Sequence, residues 1–247
     1  MASSVLRTER LTKDFASGFW RATSFRALDD LSLDVPAGAV FGLLGPNGAG
    51  KSTTLNLLLN LLRPTSGTID VLGRPPGDVR VRRRVGFLPE HPRFYDHLTP
   101  EELLTYFAGL FGLSGEERRR RVTWSLDRVG IAADRRRPLR EHSKGMLQSV
   151  GIAQAIVNDP DLLILDEPMS GLDPFGRRTL RELIRELSAD GRTVLFSSHI
   201  LSDVEQLCSE VAILARGRLV ARGSVAELVA ERTLEDVFFE AVGTVGP

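Results

Sequence analysis

The chain has 247 residues, 42% of them hydrophobic and 26% charged, and its 32 basic and 32 acidic side chains leave no formal net charge. That length suits one large core or a core with a smaller lobe, and the balanced charge gives no global basic field to draw in nucleic acid. The single cysteine, Cys208, excludes an internal disulfide; with no apolar run at the N-terminus and none long enough to span a bilayer, the expected location is cytoplasmic, with any membrane role exerted through a partner.

In chain order, residues 40–44 (Val-Phe-Gly-Leu-Leu) read as a buried strand that runs into a glycine-rich turn. A helix is expected over 52–62, closed by Arg63-Pro64 because proline cannot continue it. Residues 68–72 and 85–88 read as further strands. From about 99 to 158 the pattern is helical. It opens on Thr99-Pro100-Glu101-Glu102, a capping hydroxyl, a first-position proline and acids near the positive end of the dipole. The arginine runs 118–121 and 135–137 inside this stretch are expected to be solvated surface. Strands follow at 162–165, at 193–197, and at 211–214 and 218–221, the last two flanking a hairpin at Arg216-Gly217. Apolar runs alternating with helical patterns predict an α/β fold with a mainly parallel sheet. The expected organisation is one domain, with an α/β core at 1–90 and 157–247 and an inserted helical subdomain at 91–156.

The turn after the first of these strands is Gly45-Pro46-Asn47-Gly48-Ala49-Gly50-Lys51-Ser52, which fits G-x-x-x-x-G-K-[ST] with a strand before and a helix after. Glycines let backbone amides curl around phosphates with no Cβ in the way. The helix start aims its positive end at the anion. Lys51 reaches the β- and γ-phosphates, Ser52 offers a hydroxyl to Mg²⁺, and Thr53 is placed for the α-phosphate. Asp166 and Glu167 end the apolar run 162–165. Asp166 fits a Mg²⁺-organising carboxylate acting through water, and Glu167 a general base or polariser of the attacking water.

These motifs together resemble the ABC ATPase domain, a P-loop NTPase core with a mainly parallel sheet, an antiparallel β element and an inserted helical subdomain. His142-Ser143-Lys144-Gly145-Met146 stands where that family carries Leu-Ser-Gly-Gly-Gln; Ser143 and Gly145 keep its pattern, and His142, Lys144 and Met146 depart from it. The variant is similar to the branch paired with ABC-2 type export permeases, as is the ending Thr233-Leu234-Glu235-Asp236-Val237-Phe238. The resemblance implies ATP and Mg²⁺ as ligands and a head-to-tail dimer, with Ser143 and Gly145 facing the γ-phosphate held by the other subunit. It further implies a separate permease that places the chain on the inner face of the cell membrane. The same residues also read as a plain helix cap.

Gly86-Phe87-Leu88-Pro89-Glu90 resembles the loop joining core and helical lobe, with Glu90 where glutamine is usual. Glu90 is either a Mg²⁺ and water sensor or a surface acid after a strand. Asp173, in Ser170-Gly171-Leu172-Asp173-Pro174, is either a residue crossing the dimer interface or part of a turn before a helix. His199 resembles the switch histidine that contacts the γ-phosphate. Phe15 resembles the aromatic stacked on adenine, with Phe19, Trp20 and Phe25 as rivals and core packing as the other reading. Permease docking is expected near 90–111, with aromatic exposure around Phe94 and Tyr95. The leading expectation is an ATP-hydrolysing motor subunit of an exporter. The alternative is a soluble ABC-type ATPase acting on ribosomes or DNA, although such relatives generally carry two fused ATPase domains or a long coiled coil, and neither is present here.

Overall fold

A computed structural model describes residues 4–17, 23–230 and 232–244. In chain order the elements are β1 (Ser4–Ser17), β2 (Thr23–Pro36), β3 (Val40–Leu44), α1 (Lys51–Leu58), β4 (Ser66–Val71), α2 (Val79–Arg82), β5 (Val85–Leu88), α3 (Pro100–Leu110), α4 (Gly115–Arg128) and α5 (Lys144–Ile156). They continue with β6 (Leu162–Asp166), α6 (Pro174–Ala189), β7 (Thr193–Ser198), α7 (Leu201–Leu207), β8 (Glu210–Ala215), β9 (Arg218–Ser224), α8 (Val225–Leu228) and α9 (Leu234–Gly243). The chain divides into two compact units, Met1–Arg82 with Leu195–Pro247, and Arg83–Val194.

In the first unit β3 runs parallel to β8, from Phe41 opposite Glu210 to Leu44 opposite Ile213, and β8 turns back into antiparallel β9. Every residue of β3 is buried, as expected of a parallel strand covered on both faces, and this is why it reads as an unbroken apolar run. The hairpin expected at Arg216-Gly217 is present. A separate antiparallel sheet has the order β2-β1-β4. Its two long strands, β1 and β2, were not expected from the pattern. Both carry irregular pairing, with register shifts on either side of Leu11 and left-handed residues at Arg10 (φ 46) and Asp30 (φ 56). Such bulges break the period of two on which strand recognition depends.

Helix α1 stops at Leu58 rather than at 62. Asn60 adopts φ 55, and the amides of Leu61 and Leu62 both donate to the Asn56 carbonyl (2.9 and 3.2 Å). A left-handed asparagine thus ends the helix before the proline is reached.

In the second unit β5 and β6 pair in parallel, Val85 opposite Leu162 through Leu88 opposite Leu165. Between them lie α3, α4 and α5, with short 3-10 turns at Ala132–Asp134 and Leu139–Glu141. α3 begins as expected: Thr99 accepts from the Glu102 amide, and the Glu102 carboxylate accepts from the Thr99 amide, a reciprocal cap. The arginine run 118–121 divides. Arg119 and Arg120 are exposed, whereas the Arg121 side chain is only 14% exposed. Its guanidinium donates to the carbonyls of Ile156 (2.6 Å) and Val157 (3.2 Å) and so serves the carbonyl end of α5. Arg135 likewise turns inward, to Glu101 and Thr123. Among the described residues no helix is long and apolar enough to cross a membrane.

Candidate functional site

In the first unit, β3 delivers the chain into the loop 45–52. Pro46, Asn47 and Gly48 are exposed at its rim, and Ala49 is buried. Gly50 ends the loop in the left-handed region, φ 103, as the residue before α1. A Cβ there would lie 2.6 Å from Leu28 Cδ2 and 2.8 Å from the Ala27 carbonyl oxygen. Both the dihedral and the close approach of β2 therefore call for glycine. α1 has no side-chain cap and no acidic residue in its first turn. No carboxylate of that turn therefore sets a negative charge at the positive end of the helix.

Lys51 is buried, and its ammonium donates to the carbonyls of Gly45 (2.6 Å) and Pro46 (3.4 Å). The loop wraps around the amine that the sequence assigns to phosphate. Ser52 is exposed and Thr53 half-buried. Thr54 is turned away, its hydroxyl bonded to the Gly50 carbonyl at 2.9 Å. Also in this unit, His199 is exposed just beyond β7, in a turn where Ser198 Oγ accepts from the Ile200 amide at 2.9 Å.

Phe15 lies near the end of β1, half-buried rather than in the core, with the Lys13 ammonium 4.9 Å from its ring centroid. Its cross-strand partner is Phe25, which is 61% exposed. Directly opposed residues of an antiparallel pair share a face, so the two candidate aromatics stand side by side. Phe19 and Trp20 lie outside the described residues.

The second unit holds the acidic strand end. Asp166 closes β6 and is buried, while Glu167 is half-buried. Glu167 is a non-glycine residue at φ 48, a conformation that costs about 1 kcal/mol or more. It is stabilised by the turn in which the Ser170 amide donates to the Glu167 carbonyl at 3.1 Å. The Asp166 carboxylate is a hard oxygen donor of the kind that suits Mg²⁺. Glu90 is exposed, two residues beyond β5.

Helix α5 brings Ser143 and Gly145 to the segment that follows Glu167. Ser143 caps α5 by accepting from the Met146 amide at 3.3 Å, and Asp173 caps α6 by accepting from the Gly176 amide at 2.7 Å. The two caps border one groove of about 520 Å³ that also includes Lys144, Gly171 and Phe175. Gly145 is close enough to the Gly171 carbonyl that a Cβ would sit 3.0 Å from it, and the buried Gln148 side chain donates to the Pro168 carbonyl at 3.2 Å. Ser143 and Gly145 at the start of α5 are thus assembled with Asp173, which ends the segment that begins at Glu167. Gln148 was missed; a polar residue on the apolar side of a helix was the available signal.

The family profile described as ABC transporter matches residues 28–170. An uncharacterized ABC transporter ATP-binding protein of Synechocystis sp. is 49% identical over 92% of this chain and 65% of its own length. The Nod factor export ATP-binding protein I of Ralstonia nicotianae is 39% identical over 82% of this chain and 64% of its own length. The chain therefore spans about two thirds of the curated relatives it matches. A dimeric structure of an ATP-binding cassette in a post-hydrolysis state, bound to ADP and Pi, superposes with a TM-score of 0.82 at 25% identity, covering 89% of this chain and 98% of that one.

Proposed function

The chain belongs to the ABC transporter family, and from that premise we propose that it is the ATP-hydrolysing motor subunit of an exporter, working as a head-to-tail dimer under a separate ABC-2 type permease. The observation that carries this reading is the phosphate loop. A lysine held inside a glycine-ended loop opens a helix that has neither a side-chain cap nor an acid in its first turn, an arrangement suited to a polyphosphate. The export assignment draws on the Ser143-Lys144-Gly145-Met146 variant and on the Nod factor export relative. The dimer draws on the dimeric ADP-bound neighbour.

In this reading the loop amides and Lys51 grip the β- and γ-phosphates, with Gly45, Pro46, Asn47, Gly48, Ala49 and Gly50 shaping the cradle and Thr53 meeting the α-phosphate. Phe15 stacks on the adenine. Ser52 and Asp166, with Glu90, would hold Mg²⁺, which neutralises charge on the transferring phosphoryl group. Glu167 orients water against the γ-phosphate and accepts its proton. His199 and Lys51 stabilise the spreading charge. Ser143, Gly145 and Asp173 serve the nucleotide of the partner subunit. The helical subdomain, 91–156, passes opening and closing to the permease, with Tyr95, 68% exposed, on the docking face.

The test compares the purified chain with Glu167→Gln, following phosphate release and ATP-dependent dimerisation by light scattering. Wild type should turn over, and the variant should lose at least about a hundredfold in rate yet still dimerise with ATP. A variant that hydrolyses ATP like wild type removes Glu167 from the chemistry. A wild type that neither binds nor hydrolyses ATP, alone or with a candidate permease, overturns the motor assignment.

A further inference from the structure

The β1–β2 pairing carries different chemistry on its two faces. Phe15 and Phe25 are opposed on one, and the adjacent pair Asp14 and Arg26 on the other. Arg26 grips Asp14 with two bonds, Nε to Oδ1 at 2.8 Å and Nη2 to Oδ2 at 3.3 Å, the planar fork of a bidentate pair. Its third nitrogen, Nη1, donates to Asp29 Oδ1 at 3.0 Å. The other Asp29 oxygen accepts from Arg218 Nε at 2.7 Å and also from Arg218 Nη2. One carboxylate therefore ties β2 to β9.

The backbone continues the connection. The Asp29 amide donates to the Gly217 carbonyl (2.9 Å), and the Gly217 amide donates to the carbonyl of Ala49 (3.0 Å), inside the phosphate loop. An unbroken line of hydrogen bonds runs from Ala49 through Gly217, Asp29 and Arg26 to Asp14, the neighbour of Phe15. There is no slack at the loop end. Gly217 adopts φ 78, and a Cβ on it would lie 2.6 Å from the Ala27 carbonyl oxygen. The Arg218 guanidinium, with Arg26 beside it, holds the Asp29 carboxyl below its ordinary range, so the charge that makes these bonds persists further into acid than an ordinary aspartate's would.

We propose that Asp29 is a positioning residue for the nucleotide base: by holding Arg26 and Arg218 together it sets the span between the Phe15–Phe25 face and the phosphate loop. This rests on the reading of Phe15 as the base platform and of 45–52 as the phosphate cradle. Single exposed ion pairs contribute little to stability, because two long side chains must be ordered for each. Here both arginines share one carboxylate whose backbone is already fixed, and the result is geometry: a base and a polyphosphate joined by a ribose must both reach their seats at once.

The experiment is isothermal titration of the full chain with ATP and, separately, with inorganic tripolyphosphate, which has phosphates and no base. Asp29→Asn should weaken ATP binding roughly threefold to tenfold and leave tripolyphosphate within about twofold of wild type. The KM for ATP should rise by the same factor while kcat at saturation is kept, and the variant-to-wild-type ratio should shrink in about 1 M salt. Asp34→Asn is the control. Asp34 pairs with Arg7 on the same two strands at 3.1 Å, remote in register from Phe15, and its loss should change neither ligand. Should Asp29→Asn fold poorly by thermal melt, Arg26→Gln breaks the same line one step further from the loop and should show the same base-only loss. Equal ATP affinity in both variants and wild type overturns the inference, and so does an equal loss of ATP and tripolyphosphate, which would make Asp29 a support of the loop alone. A wild type that binds neither ligand defeats the nucleotide reading itself, a result distinct from both.

Discussion

Gly86 gives the most exposed test of how α5 is seated. It lies in β5, opposite Leu163 of β6, and a Cβ built on it would stand 1.9 Å from the Ala155 carbonyl oxygen and 3.0 Å from Leu163 Cδ1. Carbon and oxygen do not approach that closely, and the obstructing atom is backbone, so Gly86→Ala forces α5 away from β5 by roughly 1.3 Å or more. The helix buries Val150, Ile152, Ala153, Ala155 and Ile156. A gap of that size forfeits a large part of the dispersion contact along the face, and overpacking of this kind costs about 3 kcal/mol. The assay is urea unfolding followed by Trp124 fluorescence in a Trp20→Phe background, which leaves one tryptophan. Trp124 lies on α4, with Arg121 4.3 Å from its ring, so its transition reports the unit that contains α5 even if the two units unfold separately. Gly109→Ala on α3 of the same unit, where a Cβ meets only the Arg118 Nη1 atom at an ordinary 3.6 Å, should lose no more than about 0.5 kcal/mol. Because Ser143 caps α5, Gly145 lies in its first turn and its Gln148 holds Pro168, the displaced helix should also weaken ATP-dependent dimerisation. A Gly86→Ala shift below about 1 kcal/mol would refute the reasoning, since the helix could then yield without losing its packing.

Two further outcomes follow from burial and capping. Burial pushes the Cys208 thiol well up from its ordinary range, so above pH 8.5 or so the unfolded chain gives up a proton that the folded chain keeps; stability then falls with rising pH, by up to about 1.4 kcal/mol per unit from this group. Urea midpoints between about pH 8 and 10 should decline less steeply for Cys208→Ala than for wild type, and equal slopes would show that the thiol ionises freely in the fold. Thr99→Ala removes the hydroxyl that caps α3 and should cost about 1 kcal/mol by the same Trp124 transition; an unchanged midpoint would mean that solvent replaces the cap without loss.

What the sequence disclosed and what it hid divide along chain distance. The strand, glycine-rich turn and helix were legible because they are contiguous: Val40–Leu44, the glycines and Lys51–Leu58 follow one another directly. The buried run 162–165 with its two acids was legible for the same reason. The line from Ala49 to Asp14 was not, because Arg26 and Asp14 are 12 residues apart and Arg218 and Asp29 are 189 apart; no local pattern marks such partners. The strands that carry them were hidden as well, since left-handed residues at Arg10 and Asp30 shift the alternation. Arg121 misled for a related reason. A run of four arginines looks solvated, and only the position of the end of α5 shows that one of them is a cap.

Lys144 shows a departure that was visible in the sequence before its use was. A lysine stands in place of the family's glycine at the start of α5. In the fold its aliphatic stem lies over Gly171: a Cβ built on Gly171 would be 3.2 to 3.3 Å from Lys144 Cε, Cδ and Cγ. Gly171 is itself left-handed, φ 76, and two residues before the Asp173 cap. The methylenes thus cover a bend that no side chain of its own could cover without strain. The lysine that removes backbone freedom at the helix start supplies packing to the segment leading from Glu167 to Asp173, so one of the three residues that depart from the family's pattern packs the two motifs bordering the groove against each other.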